Sequence, residues 1–242
     1  MTVSVGTSGW SYEHWTDVLY PLGTRPGDRL ARYAEASRTV ELNASFYRWP
    51  APSTFASWNR RLPEGFSMSV KAPRGLTHAK KLFAPEQWIN RIAAGWHELG
   101  DRRGTLLVQL PPTMERDDAR LAYFLTELPP WIQVAVELRH PSWDDEAVYR
   151  ILELHGAAYC VVSGANIACH LRATAATVYV RMHGPDHQQL YAGSYSNGDL
   201  GWWADRIREW ERAGKDVNVY FNNDGGGNAV RNASTLRTML NQ

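Results

Sequence analysis

The chain has 242 residues, with 26 Lys and Arg set against 25 Asp and Glu, for a formal net charge of +1. That balance excludes a protein that coats nucleic acid by charge alone, and 44% hydrophobic with 21% charged residues excludes wholesale disorder. No apolar run reaches the roughly 18 residues of a membrane span, MTVSVGTSG shows no signal peptide, and Cys160 and Cys169 make neither a disulfide scaffold nor a Cys-rich zinc site. The expectation is a single-domain cytoplasmic protein over residues 1–242, unusually rich in tryptophan, with 11.

In chain order, β-type runs predict strands at Val3–Thr7, Thr39–Asn43, Ser67–Lys71, Thr105–Gln109, Gln133–Glu137, Ala158–Val162, Thr177–Arg181 and Val217–Phe221. Helical spacing fills the intervals. Ser53 is read as the N-cap of the helix after the second strand. Trp88, Ile92, Trp96 and Leu99 share one face after the third, and Asp117 caps the helix after the fourth. Val148, Leu152 and His155 share a face that Gly156 terminates. Residues 163–176 then leave too little room for an ordinary helix. After the seventh strand Asp199 is read as an N-cap, Leu200, Trp203, Ile207 and Trp210 form a face, and Gly214 ends it. The eighth strand runs into the Gly-rich turn Asn222–Asn228, which opens the last helix. Strand and helix alternating about eight times with short connections predict a parallel sheet. At this length the favoured closure is an α/β (β/α)8 TIM barrel with an irregular crossover after the sixth strand, ahead of an open doubly wound sheet.

Period-2 alternation then says which side chains face inward. Glu41 and Asn43 oppose Val40 and Leu42, Lys71 opposes Met68 and Val70, and Gln109 opposes Leu106, Val108 and Leu110. Glu137 and Arg139 oppose Val134, Val136 and Leu138. Arg181 and His183 oppose Val178, Val180 and Met182, and Asn222 opposes Phe221. The apolar sets belong against helices, so the polar sets converge on the C-terminal mouth, where barrel enzymes keep their active sites. The bland alternative is a buried structural network of paired charges. His140, one step off the alternation and followed by Pro141, is read as a loop residue that caps.

The segments GTSGWSYEHWTDVLYP (6–21), VELNASFYRWP (40–50), SVKAPRGLTHAKKL (69–82), LLVQLPPTM (106–114), VELRHPSW (136–143), YVRMHG (179–184) and VYFNND (219–224) resemble the YecE-like family, domain of unknown function 72. The resemblance runs along essentially the whole chain in order. It implies a TIM barrel and marks Trp10, Glu41, Asn43, Tyr47, Lys71, Pro73, His78, Gln109, Glu137, Arg139, His140, Arg181, His183, Gly184, Asn222 and Asn223 as matched positions. It implies no particular reaction. The chain departs from it at Val162-Ser163-Gly164, where an acidic residue is expected.

Read as chemistry, Lys71, Arg139 and Arg181 suit a phosphate or another anion, and the Gly-rich turn lies where barrels often hold phosphate. Three cations facing two carboxylates favour an anionic ligand, nucleic-acid-derived or small, and predict a hydrolase or lyase. Glu41, Glu137 and His183 are the catalytic candidates. Trp10, Asn43, Tyr47, Lys71, Gln109, Arg139, His140, Arg181, Asn222 and Asn223 are the substrate-binding candidates. No HExxH, HxH or DxD spacing appears, so no tightly bound metal is expected and no cofactor is assigned. Two alternatives stand beside this reading. One is a glycoside-processing enzyme using Glu41 and Glu137. The other is a non-catalytic nucleic-acid-binding barrel whose loop tryptophans Trp10, Trp15, Trp49 and Trp143 stack on bases. Trp88, Trp96, Trp203 and Trp210, at helical spacing, are read as core, and so is Cys160. Thr77–Lys81 is a basic cluster that flanks Lys71.

Overall fold

The computed structural model describes residues 2–186 and 188–242. The strands are β1 (Val3–Thr7), β2 (Thr39–Leu42), β3 (Ser67–Lys71), β4 (Arg103–Gln109), β5 (Val134–Glu137), β6 (Ala158–Ser163), β7 (Thr177–Met182) and β8 (Asp216–Phe221). The helices are α1 (Arg29–Ala36), α2 (Pro52–Arg61), α3 (Glu86–His97), α4 (Asp118–Glu127), α5 (Glu146–Leu154), α6 (Asn197–Arg212) and α7 (Asn228–Met239). Strand order is β1-β8-β7-β6-β5-β4-β3-β2. This is the (β/α)8 barrel fold, with no helix between β6 and β7. All eight strand expectations hold to within two residues at each end.

The chain divides into two compact units, one of Met1–Glu41, Val161–Arg172 and Ala176–Gln242, the other of Leu42–Cys160 and Ala173–Ala175. In the first, β8 pairs in parallel with β1 (Val3↔Val217 to Thr7↔Phe221) and with β7 (Thr177↔Asp216 to Met182↔Phe221). Gly6 is required where β1 meets β2, because a Cβ there would lie 2.3 Å from the Thr39 carbonyl oxygen. Buried Tyr33 ties α1 to both strands: its hydroxyl accepts from the Thr7 N–H at 3.0 Å and donates to the Thr39 carbonyl at 3.0 Å. Leu200, Trp203 and Ile207 of α6 are buried as the helical spacing predicts, whereas Trp210, expected on the same face, is only half-buried near the helix end.

In the second unit, β4 pairs with β3 and β5. The β3–β4 register slips between Met68 and Val70, beside Gly104, where a Cβ would press on Ser69 and Ser67. A single threonine anchors the helix-free connection after β6. The Thr174 hydroxyl accepts from the Tyr159 N–H and donates to the Ala157 carbonyl, both at 2.7 Å.

Three local expectations need correction. The N-cap of α2 is Ala51, with Pro52 at the first helical position, rather than Ser53. Proline's fixed φ and missing N–H suit that place. At α6 the cap is Ser196, and Asp199 is the third helical residue that reaches back to it in a reciprocal capping box. His155 follows α5 as its exposed C-cap and does not join the buried face of Val148 and Leu152. Asp117 does cap α4, accepting from the Arg120 N–H at 3.0 Å. Among the described residues no helix is long and apolar enough to cross a membrane.

Candidate functional site

In the first unit the predicted residues gather around a buried ion pair. Glu41, at the end of β2, and Arg181, in β7, are both fully buried. Arg181 Nη2 donates to Glu41 Oε1 at 2.7 Å and Nε donates to Oε2 at 3.0 Å. β7 pairs with β8 and β8 with β1, and the residue after β1, Ser8, bridges to Glu41, so two strands lie between β7 and β2 on this side. Both side chains therefore reach across the concave face, as the alternation predicts. The Ser8 hydroxyl donates to Oε1 at 2.6 Å and the Tyr179 hydroxyl to Oε2 at 2.8 Å. Four donors fill the four lone-pair directions of the carboxylate. Burial alone would raise the Glu41 pKa, but the charge and hydrogen bonds of Arg181, with those of Ser8 and Tyr179, outweigh it and hold the carboxyl below its ordinary range. Burial, then the Glu41 charge, keeps Tyr179 protonated as a donor.

This assembly gives a pH prediction. The folded Glu41 pKa is depressed, so its stabilisation is present above the ordinary carboxylate pKa and is lost as pH falls through the folded value. Urea midpoints measured against pH should fall more steeply on acidification for the wild type than for Glu41→Gln. Equal slopes would show that Glu41 carries none of the acid sensitivity.

His183 follows β7 and is fully buried. Its Nε2 lies 3.5 Å from Arg181 Nη1, its Nδ1 lies 3.2 Å from the Asn222 carboxamide, and Tyr191 meets the ring edge-on at 4.9 Å. Guanidinium nitrogens only donate, so Nε2 is the acceptor in that contact. Gly164 permits this packing, since a Cβ there would stand 2.9 Å from His183 Cβ. Asn223 turns elsewhere: its amide donates to Asn232 Oδ1 at 2.8 Å and to the Gly193 carbonyl at 3.0 Å, within a buried amide network. Trp10 is half-buried, with its carbonyl accepting from Tyr20.

The second unit holds the other cluster. Parallel register sets Gln109 beside Glu137, and Gln109 Nε2 donates to Glu137 Oε1 at 2.8 Å. Arg139 donates to the same oxygen through Nε, and the Cys160 thiol stands 3.9 Å from Oε2. Lys71, nearly buried at the end of β3, places Nζ 4.4 Å from the Phe46 ring centroid, a cation–π contact. His78 meets the same ring edge-on at 4.8 Å. It sits on a π-helical turn, Gly75–Ala79, closed by Lys80 N–H on the Gly75 carbonyl at 3.0 Å. The Thr77 hydroxyl lies 3.0 Å from His78 Nδ1, and Nε2 has no partner among the described residues. Partial burial, and then the charges of Lys71, Arg74 and Arg139, hold the His78 pKa below the ordinary histidine value, with Glu137 opposing. Burial and the neighbouring cations both favour the neutral form of the imidazole.

Of the remaining expectations, His140 caps as read: its Nδ1 accepts from the Ser142 N–H at 3.2 Å at the start of the short 3-10 turn Pro141–Trp143. Asn43 precedes a similar turn, Ala44–Phe46, and Tyr47 is 82% exposed just after it. Three of the four loop tryptophans, Trp15, Trp49 and Trp143, are buried, two with satisfied indoles: Trp15 donates to Asp224 Oδ1 at 2.6 Å and Trp143 to the Met114 carbonyl at 2.8 Å. Their rings are packed in and offer no face for stacking. Among the described residues no cluster of three or more His, Cys, Asp or Glu side chains is placed to hold a metal ion. His78, a matched position of the family resemblance, is not among the candidate site residues that the strand alternation picks out. It lies within the Thr77–Lys81 basic cluster that flanks Lys71.

A family profile described as "protein of unknown function DUF72" matches residues 4–242. The chain is 26% identical to the UPF0759 protein YunF of Bacillus subtilis, over 98% of this chain and 94% of that one. It is 28% identical to the UPF0759 protein YecE of Escherichia coli K12, over 58% of this chain and 50% of that one. The crystal structure of a DUF72 family protein from Thermotoga maritima superposes with a TM-score of 0.90 at 29% identity, covering 100% of both chains. A DUF72 family protein from Enterococcus faecalis, at 20% identity and a TM-score of 0.86, shares the fold.

Proposed function

This chain belongs to the DUF72 family, and from that premise we propose that it is a hydrolase or lyase acting on a phosphorylated or otherwise anionic substrate. The observation that carries the proposal is His78: an imidazole held neutral, its Nε2 without a partner among the described residues, in the field of Lys71, Arg74 and Arg139. Lys71 and Arg139 supply the charge that binds substrate oxygens, Arg139 through its planar fork. Gln109 and the buried Glu137 carboxylate orient that fork. His78 takes or returns the proton, since an anion beside it raises its basicity toward neutral pH. Glu137 is therefore a positioning residue here. In the first unit, Glu41 with its four donors fixes Arg181, which in turn fixes His183.

The alternatives draw less support. A glycosidase carboxylate must exchange a proton or attack carbon, and Glu41 has no lone pair to spare. A base-stacking surface loses three of its four rings to the core. The test is a panel of phosphoesters, neutral glycosides and single-stranded or abasic oligonucleotides, run with and without Mn²⁺, Mg²⁺ or Zn²⁺. The proposal expects turnover of phosphoesters or other anionic substrates. Turnover confined to neutral glycosides, or oligonucleotide binding without turnover, would replace it.

A further inference from the structure

The first unit carries a cleft of about 370 Å³, lined by Ser163, Pro185, Tyr195, Asp199, Trp202 and Trp203. We propose that it binds a neutral ring bearing hydroxyl groups, a sugar or cyclic polyol. This stands independently of the anionic-substrate reading.

Trp202 is the platform. It follows the Leu200 position on α6 but lies off the buried face, 46% exposed, braced edge-on by Trp203 at a centroid distance of 5.1 Å. An exposed indole held in place offers a flat apolar surface to the C–H face of a ring at little entropic cost. The Arg206 guanidinium sits over one face of the Trp202 ring, 5.5 Å from its centroid.

The polar groups decide what the ring must carry. Asp199 Oδ2 accepts from both the Ser196 N–H and its hydroxyl, at 2.9 and 2.7 Å, whereas Oδ1 has no partner among the described residues. The Tyr195 hydroxyl accepts from the Gly184 N–H and donates to Ser163 Oγ, both at 2.9 Å. Burial pushes the Tyr195 pKa up to about 12, so the phenol keeps the proton that it donates. Ser163 Oγ thus accepts from Tyr195 and has its own proton left to give. The cleft presents one acceptor and one donor beside an apolar face. A hydroxyl group satisfies both, because it donates and accepts. An ammonium ion would leave the Ser163 proton unanswered and would meet Arg206. A phosphate or carboxylate would be repelled by Asp199.

The cleft is also built as a unit: the Tyr195 hydroxyl joins Ser163, at the end of β6, to Gly184, after β7. Gly184, at φ 106°, has no room for a Cβ, which would fall 2.1 Å from the Ala192 carbonyl oxygen.

The experiment uses the full chain labelled with ¹⁵N. The Trp202 indole N–H signal is assigned by its loss in Trp202→Phe. Methyl glycosides of common hexoses and pentoses, and inositol, are titrated beside sodium phosphate and methylammonium chloride. At least one neutral polyol should shift the Trp202 signal saturably. Its affinity should fall about tenfold or more in Trp202→Ala. Asp199→Asn, which keeps a capping oxygen, should weaken it as well, and Lys71→Ala should leave it unchanged. Because Trp202 is exposed, a dispersed spectrum of Trp202→Ala verifies that the variant is folded. Three results would overturn the proposal: no saturable shift with any neutral polyol, a shift only with phosphate or methylammonium, or polyol affinity unaffected by Trp202→Ala.

Discussion

Arg181→Met is expected to lower unfolding free energy by about 3–5 kcal/mol, because it leaves the Glu41 carboxylate buried without its counter-charge. Methionine fills much of the volume, so the loss reports the charge rather than a cavity. Two of the four donors to Glu41 vanish together, leaving Ser8 and Tyr179. The deficit should shrink as pH is lowered, since Glu41 in the variant escapes the penalty by taking a proton. The double variant Glu41→Gln/Arg181→Met should recover part of the loss, with a coupling that a double-mutant cycle reads in urea. A loss that does not vary with pH and is not relieved by Glu41→Gln would mean that packing, and not charge, holds this site together.

Arg139→Ala and Lys71→Ala should each reduce turnover of an anionic substrate by about 10²–10³-fold. On the proposed reading each removes a cation that meets substrate charge, and Arg139 is also the ion-pair partner of Glu137. His78→Gln should reduce turnover comparably and flatten the limb of the pH–rate profile that its ionisation controls. Gln109→Glu is a sharper probe. It sets a second carboxylate against Glu137 at the same register position, so one of the two must hold a proton or move away. Substrate affinity should fall in that variant even though no cation has been removed. Full activity in Lys71→Ala and Arg139→Ala, measured on the substrate found in the panel, would detach this cluster from the reaction.

The strands and their inward-facing polar residues were legible because parallel strands read as short β-branched runs, and the alternation assigns faces without knowledge of tertiary contacts. Glu41, Lys71, Gln109, Glu137, Arg181 and His183 were found that way. What the alternation does not carry is partnership. Glu41 reads as a catalytic carboxylate until Ser8, Tyr179 and Arg181 are seen to fill it, and those contacts join strands that are remote in sequence. Helix starts slipped for local reasons: Pro52 and Ser196 both carry start signals, but Ser53 and Asp199 carry competing ones close by. The loop tryptophans could not be sorted by spacing, because irregular segments have no period. Trp15 lies under its loop, stacked on Tyr33 at 6.3 Å. His78 was obscured by its turn, whose i→i+5 hydrogen bond matches neither the 3.6 nor the 2.0 period. Trp202 had a visible signal, since it falls off the Leu200–Trp203–Ile207 face, and an off-face tryptophan in a helix is an exposed one.

The central claim is that His78 sits neutral beside a site built for an anion, and the most direct measurement is its titration. The His78 ring signals, assigned by their loss in His78→Gln, are followed by NMR against pH with and without inorganic phosphate. Without phosphate the ring should titrate below the ordinary histidine value, as partial burial and the Lys71, Arg74 and Arg139 charges require. Phosphate should raise that pKa saturably, because an anion between these groups offsets the cations and favours the protonated ring. The rise should disappear in Lys71→Ala. A His78 pKa at or above the ordinary value, or one that phosphate leaves unmoved, would contradict the account.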